Sequence, residues 1–128
     1  MIEAAALKTP DRLVIRNLRV RGIIGINDWE RKNRQDILIN LTLEVDTSAA
    51  VKSDDVEDSL NYRSLTKEVI RFVEASSFNL VEALAEGVAA VCVRDFGATR
   101  VRVRVEKPGA LRFAESVGVE IDRGSEDF

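Results

Sequence analysis

The sequence predicts an α+β fold: a four-stranded, mainly antiparallel sheet carrying two helices on one face, in the order β-β-α-α-β-β. Three observations carry this. From Asp36 to Val45, Ile37, Ile39, Leu41, Leu43 and Val45 fall on one face of a period-2 pattern, with Leu38, Asn40, Thr42 and Glu44 on the other. Arg100, Arg102 and Arg104 alternate with Val101, Val103 and Val105, a strand with one apolar face. Between these strands, Leu65, Val69, Phe72 and Val73 recur at helical spacing.

The remaining elements follow in order. Leu13 and Ile15, with Leu18 and Val20, predict a first strand, punctuated at its end by Gly22 and Gly25 in RGIIGINDWE. Residues 46–59, DTSAAVKSDDVEDS, are polar and acidic and read as a loop with room for one helical turn. One helix is expected from Ser64 to about Ser76. A second begins at about Leu80, with Leu84, Val88 and Val91 facing inward, many alanines, and Asn79 as its N-cap. After KPGALRFAE, the run from Ser116 to Ile121 supplies the last strand. There is no repeat, linker or low-complexity stretch, so residues 1–128 read as one domain with its core at about 13–123.

Composition bounds the function. With 45 % hydrophobic and 32 % charged residues, the 128-residue chain has the balance of a globular protein. A net charge of −3 disfavours nucleic acid as a partner, with the arginine strand and few aromatics as the weak counter-evidence. No apolar run approaches the roughly 18 residues of a membrane span. The start, MIEAAALKTPDR, is too weakly apolar for a secretory leader and has no cleavage pattern. A lone cysteine, Cys92, cannot form an internal disulfide and reads as a small core residue, which fits a cytoplasmic location. A chain this small buries only about two-thirds of its surface, so it gains from self-association. The sequence contains no histidine, which removes histidine metal sites, Ser-His-Asp triads and Cys-His pairs. It also has no glycine-rich phosphate loop. Acid–base chemistry then falls to Lys, Tyr, Glu or Asp.

Taken alone, the candidate residues have ordinary readings. Glu82 is an acid at a helix start, where the dipole favours it by about 0.3–1 kcal/mol. Glu86, a turn later, reads as surface charge. Lys107 is a turn lysine, held extended by Pro108. Tyr62 is a half-buried aromatic at a helix start, Glu30 an exposed loop acid, and Trp29 a packing residue. The arginines at 100, 102 and 104 read as a solvated or interface face of the sheet, with phosphate binding as the lesser alternative.

Several segments together change these readings: Ile24-Gly25, Asp28-Trp29-Glu30, Gln35, Lys52-Ser53-Asp54-Asp55-Val56, Tyr62, Phe78 with Leu80-Val81-Glu82, and Lys107-Pro108-Gly109-Ala110. In this order and spacing, over about Leu13 to Arg123, the chain resembles the dihydroneopterin aldolases and their sister group, the dihydroneopterin triphosphate 2′-epimerases. The resemblance implies the tunnelling fold, in which ββααββ subunits join their sheets into a barrel and two rings stack. A homo-oligomer, tetramer or octamer, is expected, with active sites between subunits.

It further implies a small-molecule pterin substrate, with no metal and no cofactor. Glu82 would anchor the pterin ring, joined by backbone groups of Val81. Lys107 would transfer protons with Tyr62 as its partner, and Glu30 would line the site near the substrate's side chain. A lysine working near neutral pH calls for burial or nearby cations. The implied activity is dihydroneopterin aldolase in folate biosynthesis. The 2′-epimerase is its alternative, to which Asn61-Tyr62-Arg63, Asn33-Arg34-Gln35-Asp36 and residues 110–117 lean. A non-catalytic pterin-binding or assembly module is a more distant one.

Overall fold

The computed structural model describes Pro10 to Phe128; the leader reading of residues 1–9 lies outside the described residues. Four strands form one sheet in the order β1-β2-β3-β4, every neighbouring pair antiparallel: β1 Asp11–Gly22, β2 Gln35–Val45, β3 Arg100–Pro108 and β4 Ser116–Gly124. Helices α3 (Tyr62–Ala75) and α4 (Val81–Ala90) cover one face, α3 against β1 and α4 against β3 and β4. Two short helices lie in the connections, α1 (Asp28–Lys32) and α2 (Ser48–Ser53). No helix of the described residues is long and apolar enough to cross a membrane.

The period-2 patterns are realised as expected. Ile37, Ile39, Leu41 and Leu43 of β2 and Val101, Val103 and Val105 of β3 are fully buried beneath the helices. In β1 the apolar residues change phase between Ile15 and Leu18, and a β-bulge lies there. Asn17 takes the extra position with φ 50°; its N–H donates to Asn40 Oδ1 at 2.9 Å, and Asn40 Nδ2 donates back to Asn17 Oδ1 at 3.3 Å. The bulge returns Leu18 and Val20 to the core side.

Leu65, Val69 and Val73 form the buried stripe of α3, whose N-cap Asn61 accepts a hydrogen bond from the Ser64 N–H. Helix α4 buries Leu84, Ala85, Val88 and Ala89, then widens into a π turn over Val91–Asp95 that contains Cys92. Burial pushes the Cys92 thiol up to about 12, as suits a core residue. Three local readings are corrected. Asn79 is not the N-cap of α4; Leu80 occupies that position with extended backbone. The 46–59 segment holds α2 and a further 3-10 turn at Val56–Asp58. Asp28–Lys32 is a helix, with acids in its first turn and Arg31 and Lys32 in its last, complementing the dipole.

The open face of the sheet is charged. Arg100 pairs with Asp122 (2.7 Å) and Glu126 (3.3 Å), Arg102 with Asp122 (3.7 Å), and Arg104 with Glu120 (3.3 Å) and Glu106 (3.8 Å). These are cross-strand pairs on a solvated surface, each worth little alone. Leu41→Ala should therefore cost about 2–5 kcal/mol in chemical denaturation, as a cavity in a close-packed core. Arg102→Ala should stay within about 1 kcal/mol of wild type in the same measurement.

Candidate active site

A pocket of about 400 Å³ opens where the β1–α1 loop, the start of α4 and the β3–β4 end of the sheet meet. Its walls include Gly25 and Glu30, Val81 and Glu82, Lys107, and Val119. Strand parity delivers the lysine: Lys107 continues the buried set Val101, Val103, Val105, so it emerges on the helix-covered face as β3 runs out. Glu82 sits in the first turn of α4, exposed, with Val81 beside it.

The lysine does not stand alone. Lys107 Nζ donates to Glu30 Oε2 at 2.5 Å, with side chains only 14 % and 12 % exposed. Gln35 Nε2 donates to the same oxygen at 3.1 Å and to Ile24 O at 2.8 Å. On the other oxygen, Glu30 Oε1 accepts from Asn27 Nδ2 at 3.0 Å and from the Asn27 N–H at 3.3 Å. The Lys107 hydrogen bond is the main reason that the Glu30 carboxyl falls from the usual 4.5 to about 2; burial opposes it, and Gln35 and Asn27 assist. Glu30 is thus an anion at neutral pH. The charged group beside Lys107 is this carboxylate and not a cation.

Gly25 is required by the same arrangement. Its φ is 121°, and a Cβ there would lie 2.2 Å from the Glu30 carboxyl. Arg31 braces the site from behind: Nη1 donates to Gly25 O (3.0 Å) and Phe78 O (3.1 Å), and Nη2 to Ser77 O (2.6 Å). Sequence reasoning missed both Arg31, whose partners are loop carbonyls with no residue-type signature, and the bracing role of Gln35, which ties the Glu30 carboxylate to the Ile24 carbonyl.

Glu30, Val81, Glu82 and Lys107 therefore come together in one pocket, and Tyr62 does not. It lies at the start of α3, 55 % exposed, outside the lining. Trp29 is 61 % exposed, so it is no packing residue; it flanks a shallow trough with Arg34, Pro108 and Gly109. Glu86 is a tether and not free surface charge, since Arg123 Nε of β4 donates to its two oxygens at 3.0 and 3.2 Å.

The fold is the tunnelling fold, and its pocket at the sheet's end is lined by two carboxylates and a lysine. The family model for FolB, dihydroneopterin aldolase, matches residues 13–122, and the chain belongs to this family. The dihydroneopterin triphosphate 2′-epimerase of Pseudomonas aeruginosa is 41 % identical over 110 residues, 86 % of this chain and 89 % of that protein. The dihydroneopterin aldolase of Escherichia coli is 39 % identical over 115 residues, 90 % of this chain and 94 % of that one. The folic acid synthesis protein FOL1 of Dictyostelium discoideum is 41 % identical over 118 residues, and the match spans only 18 % of that longer protein. Among solved structures, E. coli dihydroneopterin aldolase in complex with neopterin superposes with a TM-score of 0.86 at 39 % identity, covering 89 % of this chain and 99 % of that one. The Burkholderia thailandensis dihydroneopterin aldolase bound to guanine gives 0.76 at 28 %, covering 90 % and 91 %.

The depressed Glu30 carboxyl sets a pH dependence. A folded-state value below the unfolded one stabilises the fold above about pH 4.5, and that contribution is lost as pH falls toward about 2. The stability gap between wild type and Glu30→Gln, followed by denaturant melts, should be steady from about pH 7 to about pH 5 and shrink toward about pH 3. A gap that stayed constant down to the lowest pH would contradict the ion-paired carboxylate.

Proposed function

We propose that this pocket binds 7,8-dihydroneopterin and that the chain is an aldolase, cleaving it to 6-hydroxymethyl-7,8-dihydropterin and glycolaldehyde. The observation that carries the reading is the convergence of Glu82 and the Glu30–Lys107 pair on one pocket. A pterin presents a 2-amino group and an adjacent ring N–H in parallel. The Glu82 carboxylate can accept from both, while Val81 offers backbone groups to the same ring. Relatives bound to neopterin and to guanine, which share that donor edge, support the assignment.

With the ring held at Glu82, its side chain extends toward Glu30 and Lys107. One hydroxyl of the chain loses a proton, the adjacent C–C bond breaks, and glycolaldehyde departs. The electron pair enters the ring C=N, leaving an enamine that takes a proton on carbon to give the hydroxymethyl product. The substrate's own C=N is the electron sink, so the reaction needs neither a lysine Schiff base nor a metal. Lys107, held against the Glu30 carboxylate, passes protons with water and Tyr62. Glu30 orients the ammonium and is an acceptor for a substrate hydroxyl.

Tyr62 lies outside its own subunit's pocket, and the reading takes it from a neighbouring copy. The pocket borders β4, an edge strand among the described residues, and Val117 of that strand is exposed there beside Ile26 and Leu80 of the facing loops. Joining β4 of one copy to β1 of the next would cover these residues and satisfy both edges.

The 2′-epimerase is the second reading, favoured by the 41 % identity to the Pseudomonas enzyme. It shares the bond cleavage and then recombines the fragments with one carbinol centre inverted. Anaerobic incubation with 7,8-dihydroneopterin decides between them. Release of 6-hydroxymethyl-7,8-dihydropterin is expected, and conversion only to an epimer, above all of the triphosphate, would assign the epimerase. Lys107→Ala should lower turnover at least ~10-fold with pterin binding nearly intact. Glu82→Ala should chiefly lose pterin affinity, and wild-type affinity there would end the anchor role.

A further inference from the structure

We propose that Arg31 is a positioning residue that fixes the distance between the two halves of the pocket: the half that holds the ring and the half that acts on its side chain. The inference rests on the reading of this pocket as a pterin site. One wall, from the β1–α1 loop and α1, brings Gly25, Ile26 and Glu30; the other, from the α3–α4 loop and the start of α4, brings Asn79, Leu80, Val81 and Glu82. The loops touch through the Gly25 N–H, which donates to Phe78 O at 3.3 Å, a long bond. Arg31 supplies what that bond lacks. Its half-buried guanidinium spans the gap, with Gly25 O at 3.0 Å on one side and Phe78 O at 3.1 Å and Ser77 O at 2.6 Å on the other.

Residue type matters here. The planar fork of arginine directs N–H groups from two separated nitrogens along fixed lines, Nη1 to Gly25 O and Phe78 O and Nη2 to Ser77 O, whereas the three donors of lysine radiate from one nitrogen on a flexible stem and do not hold that spacing. Among the described residues no carboxylate pairs with Arg31, so its charge is spent on these carbonyl dipoles. Its position is also telling. Arg31 follows Glu30 directly, and the carbonyls of Ser77 and Phe78 lie a few residues before Glu82. A ligand that is only a ring needs the Glu82 wall alone. A ligand with ring and side chain needs both walls at the correct separation, and reacting groups misplaced by about 1 Å can lose ~100-fold in rate.

The test is a split between two ligands in Arg31→Ala and Arg31→Lys. Guanine carries the ring donor edge without a side chain; neopterin carries both. Calorimetry should show guanine affinity within about threefold of wild type in both variants, while neopterin weakens about tenfold and kcat falls at least ~10-fold with a smaller change in KM. Added guanidinium at tens of millimolar should restore the Ala variant and not the Lys variant. Equal losses for both ligands, or no loss for neopterin, would overturn the proposal. If the Ala variant fails to fold, the Lys variant carries the same test. Hydrogen exchange supplies a readout without ligand: the amides of residues 25–27 and 79–82 should exchange faster in both variants, and unchanged exchange would also overturn it. Wild-type protein that bound neither ligand would sink the pterin reading, and the exchange result would still judge the brace.

Discussion

The alternation of side chains along the strands is the constraint on which the rest of this structure depends. Because successive residues point to opposite faces, the register that buries Val101, Val103 and Val105 also dictates that Lys107 leaves β3 on the helix-covered side. The same parity in β2 places Gln35 at the head of the buried set Ile37, Ile39, Leu41 and Leu43, where its amide meets Glu30. In β4 it puts Val117 and Val119 at the pocket and Arg123 against Glu86. A slip of one residue would send Lys107 to the open face and bring Glu106 inward. Core packing and site geometry are thus a single choice of register, and the apolar residues enforce it for the polar ones.

The open face obeys the same rule with opposite chemistry. Seven of its side chains, Arg100, Arg102, Arg104, Glu106, Glu120, Asp122 and Glu126, are linked in ion pairs between β3, β4 and the turn after it. Such a face stays hydrated, because stripping water from so many charges costs more than their mutual attraction returns. Stacking this face on an apolar surface is therefore disfavoured, and among the described residues the outer edges of β1 and β4 are the strand edges without a pairing strand.

What the sequence discloses depends on the range of the interaction. Strands β2 and β3 were legible because burial writes a period-2 pattern directly into residue type, and α3 because Leu65, Val69 and Val73 repeat with the helical turn. Helix α1 was not, since five residues are too few to show a period and Asp28-Trp29-Glu30 reads equally well as a loop. Asn79 has the right residue type for an N-cap, yet the chain enters the helix one position later, at Leu80. The polar members of the site were legible only through resemblance to a family, and the Glu30–Lys107 contact joins residues 77 apart, beyond the reach of local spacing. Of the two surroundings expected for Lys107, burial or nearby cations, the side chain has the burial, and its charged neighbour is an anion. Arg31 was invisible for a related reason: carbonyl partners leave no mark in side-chain composition.

The π turn at the end of α4 has a consequence of its own. Cys92, the chain's single cysteine, is held there with no exposed surface and with its thiol at about 12, so hardly any of it is thiolate while the chain is folded. An alkylating reagent can reach it only when α4 lifts from the sheet. The protein therefore carries an internal clock for its own opening: the rate of thiol labelling, read by mass, counts the excursions of α4 without any engineered probe.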